Sequence, residues 1–194
     1  MFFATGVNLF EKLPVVSPQV NEINHFKNDG VVLQNNITIL GFLGKDVLNK
    51  RALVYNLAHK IYKPYYQFED LQFVWVVAEN QQEEVAQLLT ALEQIADPSK
   101  WKFVYGSNEQ INTFFESLPS SESLDELGSS SQVYIIDKER NLRGRDPQEE
   151  PHETIGYDIS TPAAINNKLR DDVKILLAEY RLELKENNRY KRKI

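Results

Sequence analysis

Ile37-Thr38-Ile39-Leu40-Gly41-Phe42-Leu43-Gly44-Lys45-Asp46 is the stretch on which the fold turns. Residues 37–43 are apolar almost without a break, and such a run suits a strand buried on both faces of a sheet. Gly44-Lys45-Asp46 ends it. Val47, Val54, Leu57, Ala58 and Ile61 then recur at helical spacing, which predicts a helix running from the end of the strand to about Tyr62. Pro64 is expected to stop that helix, because it has no N–H to donate.

Upstream, Val31-Val32-Leu33-Gln34 reads as a short strand, and residues 11–30, with Pro14 and Pro18, as irregular. Downstream, Leu71–Ala78 is a second buried strand. Gln81–Ala96 is an amphipathic helix through Val85, Leu88, Leu89, Leu92 and Ile95. Trp101–Tyr105 is a shorter strand, and Asn108–Leu118 a short helix with Ile111, Phe114 and Phe115 turned inward. A Ser-rich, acidic loop spans 119–131. Gln132–Asp137 is a strand, Lys138–Asn141 a turn, and Leu142-Arg143-Gly144-Arg145 the returning arm of a hairpin. Thr161 and Pro162 have the chemistry of an N-cap and a first helical residue. Ile165, Leu169, Val173, Leu176, Leu177 and Tyr180 then line one face of a long helix.

A βαβ half followed by a ββα half is the thioredoxin arrangement. The fold class expected is α/β: a thioredoxin-like three-layer α/β/α domain with a mixed central β-sheet. The chain divides into an N-terminal extension at 1–30, a domain at 31–180 carrying an acidic insertion at 146–158, and a polar, basic helical tail at 181–194.

Composition narrows the chemistry. The chain has 194 residues, a formal net charge of −6 and no cysteine. The missing cysteines remove disulfides, thiolate nucleophiles and iron–sulfur clusters together. The acidic balance argues against nucleic acid as a partner, since that role needs a basic stripe. No run of about 18 apolar residues exists to span a bilayer. The apolar start, Met1 to Phe10, is either the last turns of a membrane tether beginning before Met1 or a segment packed on the domain.

The junction Gly41-Phe42-Leu43-Gly44-Lys45-Asp46-Val47-Leu48-Asn49 resembles that of the Sco family, thioredoxin-fold copper chaperones of cytochrome oxidase assembly. Their strand runs into a Gly-Phe-Thr-x-Cys-Pro-x-x-Cys-Pro-type segment. Val133-Tyr134-Ile135-Ile136-Asp137-Lys138 with Leu142-Arg143-Gly144-Arg145 is similar to the family's last hairpin. In that register Lys45 and Asn49 stand where the resemblance places the two cysteines. Ser129-Ser130-Ser131 matches the segment that carries the family's histidine. The resemblance covers roughly residues 20–145 plus the final helix.

Copper(I) selects soft sulfur donors, and a lysine amine with an asparagine amide offers none. The resemblance therefore implies a degenerate member, without redox or copper-transfer activity, without cofactor, metal or catalytic residues, that binds a protein partner. Its binding positions would be Lys45, Asn49 and Ser129, flanked by Gly44 and Asp46. The resemblance also implies an extracytoplasmic, membrane-associated location; a cytoplasmic one stays open, as does the oligomeric state.

Two other readings stand beside it. Lys45 at a helix N-terminus would have its cationic form disfavoured, which would suit an enzyme with cysteine-independent chemistry in the Gly44–Asn49 loop; a solvent-exposed lysine is the simpler account. The long C-terminal helix could instead make the chain a self-associating module. Asp146, Glu149, Glu150, His152, Glu153 and Asp158 could offer oxygen ligands and one imidazole to a hard cation, but their spacing fits no standard loop. Arg189-Tyr190-Lys191-Arg192-Lys193 could meet acidic headgroups or simply complement the helix dipole.

Overall fold

The computed structural model describes residues 12–120, 122–145 and 155–191, with the side chains of the last helix described through Leu182. In chain order the elements are β1 (Val15–Ser17), β2 (Ile37–Gly44) and α1 (Arg51–Leu57), which continues through a π-helical turn (Ala58–Tyr62) into α2 (Lys63–Tyr65). Then come β3 (Leu71–Ala78), α3 (Gln82–Leu92), β4 (Trp101–Gly106) and α4 (Asn108–Glu116). The second half holds β5 (Gln132–Ile136), β6 (Leu142–Arg143), β7 (Tyr157–Asp158) and α5 (Pro162–Ala164). A second π turn (Ile165–Leu169) leads into α6 (Arg170–Lys191).

The sheet runs β1-β6-β5-β2-β3-β4, with β7 also on β5. β2 pairs in parallel with β3 and antiparallel with β5, so the sheet is mixed. All eight residues of β2 and all eight of β3 are buried, because helices or loops cover both faces. Alternation sorts them. Ile37, Ile39 and Leu43 of β2 with Phe73, Trp75 and Val77 of β3 face α1, α3 and α6. Leu40 and Phe42 with Val74 and Val76 face α4 and the segment around Val20–Leu33. This is the expected three-layer thioredoxin-like α/β/α architecture.

Thr161 caps the last helical segment through Oγ1, which accepts from the Ala164 N–H at 3.1 Å. Ile165, Leu169, Val173, Leu176, Leu177 and Tyr180 are all buried, as their spacing predicts.

Other expectations are corrected. Val31–Gln34 is not a strand: the Val31 N–H donates to Asn28 Oδ1 and the Leu33 and Gln34 N–H groups to the Glu22 carboxylate, so no ladder forms. Pro64 does not stop its helix. The chain widens into a π turn just before it, with the Lys63 N–H bonded to the Ala58 carbonyl, and helix persists to Tyr65. The first helix begins at Arg51, five turn or irregular residues after Lys45. Residues 12–30 are not a mere extension: Leu13, Val20, Ile23 and Phe26 are core residues, and β1 extends the sheet. Tyr157–Asp158, expected within the acidic insertion, forms β7 instead. The rest of that insertion through Glu153, His152 included, and the segment Met1 to Phe10 lie outside the described residues.

Candidate functional site

The site is built where β2 ends. Gly41 lies under the indole of Trp75, so close that a Cβ there would sit 2.3 Å from the ring. One residue on, the Phe42 carbonyl accepts from the Ser130 N–H at 3.1 Å, and three residues further the Lys45 N–H donates to the Leu127 carbonyl at 2.9 Å. Gly44 makes this second contact possible. Its φ is +53°, and a Cβ would fall 2.1 Å from the Leu127 carbonyl oxygen. The turn after β2 and the loop before β5 are thus sewn together by backbone.

Asp125 organises the second loop. Its carboxylate accepts from the Ser129 hydroxyl at 2.6 Å and from the N–H groups of Ser129 at 2.9 Å and Leu127 at 3.0 Å. Lys50, just before α1, reaches the same carboxylate at 3.2 Å. Burial pushes the Asp125 carboxyl up, but the hydrogen bonds from Ser129, Lys50 and Leu127 outweigh it and hold the group below the usual carboxylate value.

The turn that carries Lys45 and Asn49 is therefore joined by backbone to the loop that carries Ser129, but the Asn49 and Ser129 side chains turn to different partners, Asp46 and Asp125. Ser129 is 1 % exposed and its hydroxyl is committed to Asp125. Asn49 is exposed, and its amide donates to Asp46 Oδ1 at 2.7 Å across one turn. Lys45 points to solvent from a turn and does not sit at a helix N-terminus, which removes the electrostatic argument for an activated amine. Beside it Leu127 is 43 % exposed, one of three large apolar side chains so placed among the described residues. Among the described residues no group of three or more histidine, aspartate or glutamate side chains is placed to hold a metal ion. No helix among them is long and apolar enough to cross a membrane.

Sequence reading missed Asp125, Lys50 and Leu127. Asp125-Glu126-Leu127-Gly128 does carry a turn signature, an aspartate three residues before a glycine, and Gly128 takes φ +77°. The Lys50 contact spans 75 positions and left no local trace.

No family model and no curated protein matches this chain. Solved structures do. One is BsSco, a member of the Sco family of cytochrome c oxidase assembly proteins, at 13 % identity and TM-score 0.57, covering 86 % of this chain and 98 % of that one. Another is a putative protein disulfide isomerase from Bacteroides thetaiotaomicron, at 12 % identity and TM-score 0.53, with 87 % and 95 % covered. A third is a putative thiol:disulfide interchange protein DsbE from Chlorobium tepidum, at 11 % identity and TM-score 0.51, with 83 % and 96 % covered. At these identities the likeness establishes the thioredoxin-like fold that the strand order already gives.

Proposed function

We propose that this chain is a non-catalytic, thioredoxin-like binding or assembly protein that offers the Gly44–Asn49 turn and Leu127 to a protein partner. The observation that carries the reading is the commitment of the site's polar groups. Ser129 and Asn49 spend their side chains on Asp125 and Asp46, so the turn is held rigid by hydrogen bonds internal to the protein. A surface stiffened in this way loses little entropy on binding. An exposed aliphatic side chain beside an exposed cation gives it an anchor and a polar handle. The resemblance to Sco proteins, together with the neighbour described as a cytochrome c oxidase assembly protein, supports an assembly role and a location outside the cytoplasmic membrane.

A photo-crosslinking residue at Leu127, compared with one at the exposed Gln87 of α3, tests this in the native cell. A discrete protein adduct from position 127, weakened by Lys45→Glu and absent from position 87, is expected. Equal adducts from both positions would refute the docking face. Calorimetric titration with copper or zinc reports separately: a tight stoichiometric site lost on substituting Lys45, Asn49 or Ser129 would overturn the non-metal reading. A turnover abolished by Lys45→Ala or Asp46→Ala would establish an enzyme instead.

A further inference from the structure

The outer edge of β5 carries two strands with a break between them. β2 takes the inner edge, pairing with β5 from Val133 to Ile136. β6 and β7 share the outer one, both antiparallel: Arg143 stands opposite Ile135, and Tyr157 opposite Val133. Tyr134 is thus opposite neither strand, and the chain leaves the ladder after Arg143 and rejoins it at Tyr157. Interruptions of this bulge-like kind are over-represented beside active sites.

A cavity of about 250 Å³ occupies the break. Val16, Ile135, Leu142, Ile155 and Ala164 give it an apolar wall, and Asn167 and Lys168 line it from the π turn that precedes α6. Such turns inside helices are frequent at functional sites. A dry cavity of about 150 Å³ already accepts benzene, so this one has room for a single ring with a substituent.

Two features of the wall define what fits. The first is an unmet hydrogen bond. Gln132 is 9 % exposed, and among the described residues its Oε1 has no donor. That oxygen lies against Gly156, a wall residue of the cavity; a Cβ on Gly156 would stand 2.4 Å from it. A buried acceptor left without a donor costs about 1–3 kcal/mol, and an entering hydroxyl supplies the missing bond.

The second is that the charges of the wall are already matched. Arg145 Nε and Nη2 donate to the Asp172 carboxylate, each at 3.1 Å, and the Tyr157 hydroxyl donates to it at 2.8 Å. Arg143 donates to Asp137 and Glu179. Asp158 accepts from the Ser160 N–H and hydroxyl, both at 2.8 Å, and Lys168 is engaged within the protein. An ionic ligand would have to compete with these pairs, and a neutral one would not.

We propose that this cavity binds a small neutral molecule carrying a hydroxyl on a compact apolar body, as in a phenol, with Gln132 Oε1 accepting a hydrogen bond from that hydroxyl. The site shares no residue with the Gly44–Asn49 face and does not depend on the function proposed for it.

The probes are 4-methylphenol and toluene, which differ by the hydroxyl alone, each titrated into the isotope-labelled full chain and followed by NMR. The expected result is a saturable shift of the Ile135, Leu142, Ile155 and Gly156 signals with 4-methylphenol. Its ring should show intermolecular contacts to the Ile135, Leu142 and Ile155 methyls. Gln132→Met, close in volume, should weaken 4-methylphenol about tenfold, because the hydroxyl is then buried without an acceptor, and should leave toluene unchanged. Ala164→Leu, which fills part of the cavity, should weaken both probes. Circular dichroism checks folding; if Gln132→Met does not fold, Gln132→Leu takes its place with the same expectation, and the ring-to-methyl contacts of the wild type locate the site without either. No saturable shift up to the solubility of the probes, contacts to a different surface, binding indifferent to Ala164→Leu, or an equal effect of the Gln132 substitution on both probes would overturn the proposal.

Discussion

The Ser129 hydroxyl donates to the Asp125 carboxylate at 2.6 Å, and the same carboxylate takes the Lys50 ammonium at 3.2 Å. One acidic side chain thereby joins the loop before β5 to the entry of α1. In the Sco register Ser129 belongs to the segment matching the family's histidine, and here that position faces inward to build the loop. Ser129→Ala should cost about 1–2 kcal/mol, because it removes a hydrogen bond to a charged group that stays partly solvated. Lys50→Ala should cost only about 0.5 kcal/mol, as befits a half-exposed ion pair. Chemical denaturation of both single variants and the double variant measures this, and their non-additivity reports the coupling through Asp125.

The same carboxylate gives an acid dependence. Asp125 is held below its ordinary value of 3.8 in the folded protein. Its contribution is therefore fully present above that value and is lost as pH falls through the lower folded one. NMR titration should show the Leu127 and Ser129 amides shifting together below the ordinary carboxylate range, and Asp125→Asn should abolish that shared shift.

Gly44→Ala should be far more damaging than an exposed turn substitution. The added methyl would meet a backbone carbonyl at 2.1 Å, and the residue would still have to adopt φ +53°. A loss of about 2–4 kcal/mol is expected from the combined strain and the broken Lys45–Leu127 bond. Thermal unfolding gives the magnitude, and the amide shifts of Lys45 and Ser130 show where it acts.

The parts of the fold that can be read locally are those whose signal is local. β2 and β3 are unbroken apolar runs because both faces are covered, and Thr161-Pro162 carries its own cap. β1 is illegible for the opposite reason. Three residues between two prolines look like loop, and their attachment depends on Arg143 and Glu179, 130 and 166 positions from Leu13. Val31–Gln34 misleads because β-branched residues suggest a strand, while Glu22 and Asn28 take the amide hydrogens a ladder would use. At the site, register with the Sco pattern singles out Lys45, Asn49 and Ser129 as candidates. It does not give their partners, since Asp125 and Lys50 meet only after the chain has folded.

Alkali should act through Tyr180. Burial pushes its hydroxyl up first, and its hydrogen bond to Glu139 at 2.6 Å and the charge of Asp137 push it further in the same direction. A raised folded value means that the stabilising contribution is complete below the ordinary tyrosine value of 10.0 and is lost as pH rises beyond it. Tyr180→Phe should flatten the fall in melting temperature above pH 10, and ultraviolet titration should find one tyrosine fewer ionising late.

The aromatic column beneath the first helix supplies a test of packing. Tyr66, Tyr62, Trp101 and Trp75 stack nearly parallel in sequence, with ring centroids 5.6, 4.7 and 6.4 Å apart. Trp101 lies between Tyr62 of the helical segment and Trp75 of β3 and also touches Phe73 at 4.9 Å, while Tyr62 meets Phe73 directly at 5.0 Å. Trp101→Ala should cost about 3–5 kcal/mol, the range for emptying a large buried aromatic site. Trp101→Phe should cost much less while still separating the two indoles. Indoles held with their planes 13° from parallel at 6.4 Å couple their transitions, so the folded protein should show a paired-sign near-ultraviolet dichroism signal. Loss of that signal in Trp101→Phe with little loss of stability is the expected outcome. An unchanged spectrum would mean that the two rings do not stack in solution, and that β4 meets β3 in a different packing from the one described.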